Sequence, residues 1–327
     1  MNRDHPYFTT PPYTWPNPAF PFRVYFESEK LRIFLLDCIP HNWNWFVEWS
    51  ENFRKTDMFF ISSGWWGGAL AYSTAEVFKA LDLRKEQFVM LCNAQDEIDL
   101  FSEMGLQTAF TNNNAFLDET LYPGIMPDVE KKYDAIYVGR RTDFKRHMLA
   151  AKVQNLAVVA GNNHGNNVAP IPDTTVYVND APLDMDGVAL RINESRCGLI
   201  LSAAEGACYA SSEYLLSGIP VVSTESNGGR DVWYDDYNAI VCPPDEDAIA
   251  AAVQEFVSSP RDPHRIRAAH IEKAALFRNN FAELLASTFD RFGVDDVDAA
   301  TSFKDTFLHK LKRSPKPDLE ALFGDPT

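Results

Sequence analysis

The chain has 327 residues, 46% of them hydrophobic, and a formal net charge of −16. That length suits two domains that each bury a core, the hydrophobic share excludes a disordered chain, and the acidic balance argues against a general binder of nucleic acid or anionic membrane. The cysteines Cys38, Cys92, Cys197, Cys208 and Cys242 are scattered and lack any C-x-x-C pairing, which suits reduced thiols in a cytosol and not a disulfide frame or a zinc site.

Residues 1 to 22 place Pro6, Pro11, Pro12, Pro16, Pro18 and Pro21 among aromatics. They read as an extended arm lying on a surface, without the apolar core of a secretory signal. Apolar runs then alternate with polar, helix-capable stretches: FRVYF, RIFLLDCI, MFFISS, FVMLCNA and TAFTNN. Asn44 to Arg54 and Ser73 to Leu81 are candidate helices. Alternation of this kind predicts a parallel sheet with helices on both faces, forming a first domain over residues 1–130. The uncharged run Met58 to Thr74 is interrupted by Ser63, Gly64, Gly67 and Gly68. It is short for a bilayer span and reads as strand, glycine loop and helix start. Within it, Gly64-Trp65-Trp66-Gly67-Gly68 could bring backbone N–H groups close to a ligand. The tryptophans Trp43, Trp45, Trp49, Trp65 and Trp66 either stack on a ligand ring or, the commoner fate, pack in a core. His41, in DCIPHNWNW, is a ligand-contact candidate just past a strand, against the plainer reading of a surface histidine.

The pattern restarts near Lys131, where Tyr133 to Gly139 is a strand that runs into Arg140, Arg141 and Lys145. Taken alone, Arg140 and Lys145 are two exposed cations on a loop. LAVVAG and TTVYVND are further strands, separated by the polar loop Gly161 to Gly165. Asp184-Met185-Asp186 has the D-x-D form of a metal motif but reads as a solvated turn, and the dispersed histidines offer no ligand spacing, so no metal is expected. The buried-strand run Cys197 to Ala204 then meets Glu205, and eight residues later comes Glu213 in a segment of helical composition. Gly218 suits a left-handed helix end, Pro220 a stop, and Val221 to Thr224 the next strand. One carboxylate thus sits at a strand's C-terminal end and the other about one turn into the following helix, the edge where open α/β sheets bind ligands. Asp245 caps an amphipathic helix from Glu246 to Ser258, and helix continues from Arg261 to Phe292. The second domain covers residues 131–290, and 291–327 form a helical tail that crosses back to the first. Phe303 to Arg313 leaves two readings open, a basic amphipathic helix touching a membrane periphery or an ordinary helix packing its Phe and Leu on the body.

Glu205, Glu213 and the following Gly-Ile-Pro-Val-Val resemble the signature of the retaining glycosyltransferases of family 4 (glycosyl transferases group 1). Gly139-Arg140, with Lys145 five residues after the Arg, resembles that family's basic motif. The resemblance covers residues 134–258, and the first 130 only by architecture. It departs at Arg146, where the family usually has Gly, and at Ala207-Cys208, where it usually has Phe-Gly. It implies a GT-B fold, two Rossmann-like domains with parallel sheets facing across a cleft. The implied activity is transfer from a nucleoside-diphosphate sugar to the hydroxyl of a glycan, lipid-linked or small-molecule acceptor, without cofactor or metal. Surface polysaccharide or lipopolysaccharide synthesis is the family's common theme. Arg140 and Lys145 would stabilise the departing diphosphate, because fixed cations bind its growing charge best in the transition state. Glu205 would orient the sugar and Glu213 accept from the ribose hydroxyls. Gly139, Gly206 and the backbone N–H groups of Ala207, Cys208 and Tyr209 would line the donor site. His41, Gly67 and Gly68 would lie on the acceptor side. The alternatives are a non-catalytic subunit of the same fold that binds a glycan or partner transferase, and a nucleotide-sugar epimerase or phosphorylase.

Overall fold

The computed structural model of the protein describes residues 22–36, 46–47, 49–62, 66, 68, 70–161, 168–306 and 309–311. The N-terminal arm, His41, Gly67, the loop 162–167 and the tail from 312 lie outside the described residues. The chain falls into two compact units, one made of residues up to 116 with those from 276 onward, the other of residues 117–275.

The first unit is built on a sheet of order β1-β2-β3-β4-β5: Phe22–Glu27, Arg32–Leu36, Asp57–Ser62, Phe88–Cys92 and Gln107–Phe110. Strands β2 to β5 are parallel, but β1 is antiparallel to β2, which corrects the expectation of a wholly parallel sheet. The connection explains it. Ser28 N donates to Leu31 O at 2.8 Å and Leu31 N to Ser28 Oγ at 3.1 Å, and so tight a turn can join only antiparallel neighbours.

Every residue of β2, β3 and β4 is buried, as in sheets covered on both faces. On one face Phe34, Phe59 and Phe88 stand in register, with ring centroids 5.4 and 4.9 Å apart. They pack with Val77, Phe78 and Leu81 of helix α1 (Ala71–Leu81) and Phe101 of α2 (Gln95–Glu103). Trp49 joins the same cluster. On the other side Phe281 meets Phe60, Tyr25 and Phe116 edge-on.

The second sheet has the order β11-β10-β9-β6-β7-β8 and is parallel throughout. Its strands are Tyr133–Gly139, Leu156–Ala160, Thr175–Val178, Ser195–Ile200, Val221–Thr224 and Ala239–Cys242. Helices α3 (Met185–Asn193), α4 (Tyr209–Leu216) and α5 (Glu246–Ser258) accompany it. Asp184 caps α3 by accepting from Gly187 N at 2.8 Å, so one carboxylate of the D-x-D stretch serves a helix end. Asp245 caps α5 through Asp247 N and Ala248 N, both at 3.0 Å. Gly218, with φ of 74°, closes α4 as expected.

Helix α6 runs unbroken from Pro263 to Phe292, beginning in the second unit and ending in the first. The division differs from the sequence reading at both ends. Leu117 and Tyr122 pack with Ala189 and Leu216, which draws residues 117–130 into the second unit. Phe281 and Phe289 pair with Tyr25 and Phe26, which draws the end of α6 into the first. Helix α7 (Ala299–Asp305) follows, and its Phe303 is buried 5.5 Å from the Phe281 ring. No helix among the described residues is long and apolar enough to cross a membrane.

Candidate active site

In the second sheet the chain winds outward from β6 through β7 to β8, then returns to start β9 on the other side of β6. The β6/β9 gap is therefore the switch point of a doubly wound sheet, where loops after two adjacent strands diverge and leave a crevice. Gly139 ends β6, Arg140 and Lys145 follow it, and Glu205 follows β9. The chain thus delivers a basic turn and a carboxylate to the same place.

Lys145 ends a single 3₁₀ turn, Asp143–Lys145. The Tyr137 hydroxyl, from within β6, donates to the Lys145 carbonyl and so fastens the turn to the strand. Arg146 follows in the left-handed region at φ 54°, a conformation that strains any residue with a Cβ. Two bonds hold it there: its Nε donates to Leu201 O at 2.6 Å and Nη2 to Thr224 Oγ1 at 2.8 Å. This explains how Arg can occupy a position where Gly would be conformationally easier.

Lys145 Nζ bonds Glu205 Oε1, and the two side chains are only 13% and 11% exposed. Ser202 Oγ donates to the same carboxylate oxygen at 2.7 Å. The loop that carries Glu205 is clasped by the one after β10: Glu205 N donates to Asn227 O at 3.0 Å, Asn227 N to Ala203 O at 3.0 Å, and Gly229 N to Gly206 O at 2.9 Å. Gly228 makes this closeness possible. At φ 111°, a Cβ there would stand 1.6 Å from the Glu205 carbonyl oxygen.

Gly139 lies beside Lys145, whose Cε would be 3.7 Å from a Cβ at that glycine. Arg140 packs its Cγ toward Gly161 at the end of β7. Ala207 is buried, and Cys208 enters α4 in the left-handed region at φ 57°. Burial first, and the Glu205 charge second, push the Cys208 thiol up to about 11, so it stays protonated and is a poor nucleophile. Tyr209, the first residue of α4, packs near Leu117 and Tyr122. Glu213 comes one turn further along α4 and is half-buried.

Tyr214 fixes the position of that helix. Its hydroxyl accepts from Val138 N of β6 at 2.7 Å, and its ring lies over Gly198 of β9, where a Cβ would be 2.1 Å from the ring. The structure thus joins Lys145 to Glu205 directly, with Gly139 beside Lys145, while the Arg140 side chain lies toward Gly161 and Glu213 lies within α4. Of the acceptor-side candidates, only Gly68 is described. Trp66 folds over it, leaving 2.5 Å for a Cβ, and its Nε1 bonds Asp96 Oδ2 at 3.0 Å.

Sequence reasoning missed Arg230. It is fully buried and donates to Ser202 O and Oγ, each at 2.8 Å, and to Thr224 O at 2.5 Å. The available signal was an Arg directly after the Gly228-Gly229 turn, with no sign of its burial. His147 was missed as well. It is 2% exposed, stacks on Tyr137 at 4.3 Å, and has no hydrogen-bond partner at either ring nitrogen. Burial, then the Lys145 and Arg141 charges, lower it to about 4. It lines a cavity of about 330 Å³ with Thr142, Met148 and Pro170. Among the described residues no group of three or more His, Cys, Asp or Glu side chains could hold a metal ion.

Two units built on wound sheets, one with a basic turn and a carboxylate at its switch point, define an α/β protein with the GT-B fold. Residues 183–273, a segment that contains Glu205 to Thr224, match the family model Glycosyl transferases group 1. Similar solved structures include the sucrose-phosphate synthase of Thermosynechococcus elongatus, with 15% identity and a TM-score of 0.53, over 84% of this chain and 73% of that one. The HepE protein of Anabaena, in complex with UDP-glucose, shares 12% identity at a TM-score of 0.55, over 77% of this chain and 78% of its own. TarM of S. aureus, in complex with Fondaparinux, α-GlcNAc-glycerol and UDP, shares 13% identity at a TM-score of 0.53, over 76% of this chain and 55% of its own. No curated protein matches the sequence.

Proposed function

We propose that the protein is a retaining, metal-independent glycosyltransferase that moves a sugar from a nucleoside-diphosphate sugar to a hydroxyl acceptor. The observation that carries this reading is the shielded Lys145–Glu205 pair at the switch point of the second sheet. The family match over the segment containing Glu205 supports it, as do similar structures that hold UDP or UDP-glucose.

In this reading the diphosphate lies over the β6–turn segment and the first turn of α4, where Lys145 and Arg140 neutralise the charge that grows as the anomeric bond breaks. The backbone of Ala207, Cys208 and Tyr209 adds the positive end of a helix. Among the described residues both hydrogen bonds to the Glu205 carboxylate fall on Oε1, so Oε2 is the oxygen that meets a sugar hydroxyl. Glu213 accepts from the ribose. No side chain acts as covalent nucleophile. The transition state is oxocarbenium-like. The acceptor hydroxyl attacks from the face the nucleotide leaves, forming the new C–O bond as the C–O bond to the diphosphate breaks and passing its proton to the departing phosphate oxygen. The acceptor is a glycan, a lipid-linked saccharide or a small alcohol.

The test is nucleotide release from UDP-, GDP-, ADP- and dTDP-sugars with EDTA present, followed by assignment of the product anomer by NMR. Release from one donor with retained configuration is the expected result. Inverted configuration, or release that EDTA abolishes, contradicts the mechanism. No release and no nucleotide binding points to a non-catalytic subunit.

A further inference from the structure

Arg230 and Ser202 form a chain of hydrogen bonds that ends on Glu205. Arg230 Nη1 donates to Ser202 Oγ at 2.8 Å, and Ser202 Oγ donates to Glu205 Oε1 at 2.7 Å. The direction of this chain is forced by chemistry. A guanidinium has only donors, so Ser202 Oγ must accept from it, and the single hydroxyl proton is left for the carboxylate. Arg230 is itself immobile: its side chain is 0% exposed, and it is tied to Ser202 O at 2.8 Å, Thr224 O at 2.5 Å and Asp231 Oδ1 at 3.2 Å. The ends of β9 and β10 are thereby cross-linked behind Glu205. Lys145, at the end of the turn that follows the neighbouring strand β6, takes the same Oε1.

We infer that Ser202 and Arg230 are positioning residues that saturate Glu205 Oε1 together with Lys145, and so leave Oε2 as the one oxygen presented to the donor sugar. The inference rests on the transferase reading for its ligand, but its geometry stands independently. Arg230 and Ser202 touch no substrate. They act through Glu205, and their loss is felt by the sugar and not by the nucleotide.

Two measurements test this. The first is a crystal structure of Ser202→Ala beside wild type. Rotation of the Glu205 carboxylate, so that Oε1 and Oε2 no longer hold their wild-type places, supports the inference. A carboxylate left where it was overturns it. The second is calorimetry with the nucleotide sugar that wild type turns over, and with the matching nucleoside diphosphate. Ser202→Ala is expected to weaken the nucleotide sugar about tenfold, the effect of one hydrogen bond to a charged group, and to leave the diphosphate within twofold. In a Glu205→Ala background the same change is expected to add nothing. Equal weakening of both ligands, or a further loss in that background, overturns the inference. Arg230→Lys keeps the charge and loses the fork, and is expected to repeat the Ser202→Ala pattern. A wild type that binds no nucleotide sugar refutes the transferase reading alone, because the crystal structure still decides the positioning claim.

Discussion

Gly228→Ala is the sharpest perturbation of the site that leaves every polar side chain in place. The added Cβ would stand 1.6 Å from the Glu205 carbonyl oxygen, with φ at 111°. Ordinary contact needs a little over 3 Å, so the Glu205 loop must withdraw by roughly 1.5 Å. The clashing atom is backbone, so no side-chain rotation relieves it. Backbone strain of about 1–3 kcal/mol and overpacking of about 1–3 kcal/mol add to a loss of about 2–6 kcal/mol in the second unit. Misplacement of a positioning group by about 1 Å costs on the order of a hundredfold in rate. Urea unfolding and nucleotide release should therefore both fall, the second by at least a hundredfold at temperatures where the variant stays folded. A variant that turns over within threefold of wild type and unfolds at the same urea concentration refutes the role given to the Gly228–Glu205 contact.

Three further outcomes are expected. His147 is held neutral, lowered from 6.5 to about 4. The unfolded chain therefore binds the extra proton first as pH falls, and stability present above pH 6.5 is lost toward pH 4, by about 3 kcal/mol. Urea midpoints measured across that window should lose this slope in His147→Phe, and an unchanged slope contradicts the assignment. At Arg146, in the left-handed region, Arg146→Ala should be less stable than Arg146→Gly by about 1 kcal/mol, since both lose the guanidinium bonds but only Ala keeps a Cβ; thermal unfolding in the reverse order sinks the strain argument. Gly198→Ala forces the Tyr214 ring off β9 and should destabilise by about 1–3 kcal/mol, with partial recovery on adding Tyr214→Leu. Equal stability of the two alanine variants would show that Tyr214 does not press on that strand.

Much of the architecture was legible because buried parallel strands declare themselves as short apolar runs. FRVYF, RIFLLDCI, MFFISS and FVMLCNA each became a strand of the first sheet, and helix α5 took the bounds its cap and periodicity implied. The antiparallel β1 was hidden because strand direction depends on a turn at Ser28–Leu31 whose hydrogen bonds leave no periodic trace. The unit boundaries depend on which body receives Leu117, Tyr122 and Phe281, a matter of tertiary packing. Of the candidate site, Arg140, Lys145 and Glu205 were legible as charged residues in the loops after strands, and Glu213 as one inside the helix that follows. Arg230 was not, because a charged residue reads as exposed until the carbonyls that receive it are located. His147 and Tyr214 were missed for a related reason: a polar group buried by its neighbours has no local signature. The left-handed Cys208 and Arg146 went unmarked because neither is the glycine that usually flags such backbone.

The most direct test of the central claim is donor turnover by wild type, Lys145→Ala and Glu205→Ala, each first shown by circular dichroism to be folded. Nucleotide diphosphate release by wild type from one donor, reduced at least a hundredfold in both variants, is the predicted result. Release undiminished in either variant contradicts the assignment of the Lys145–Glu205 pair as the reacting centre.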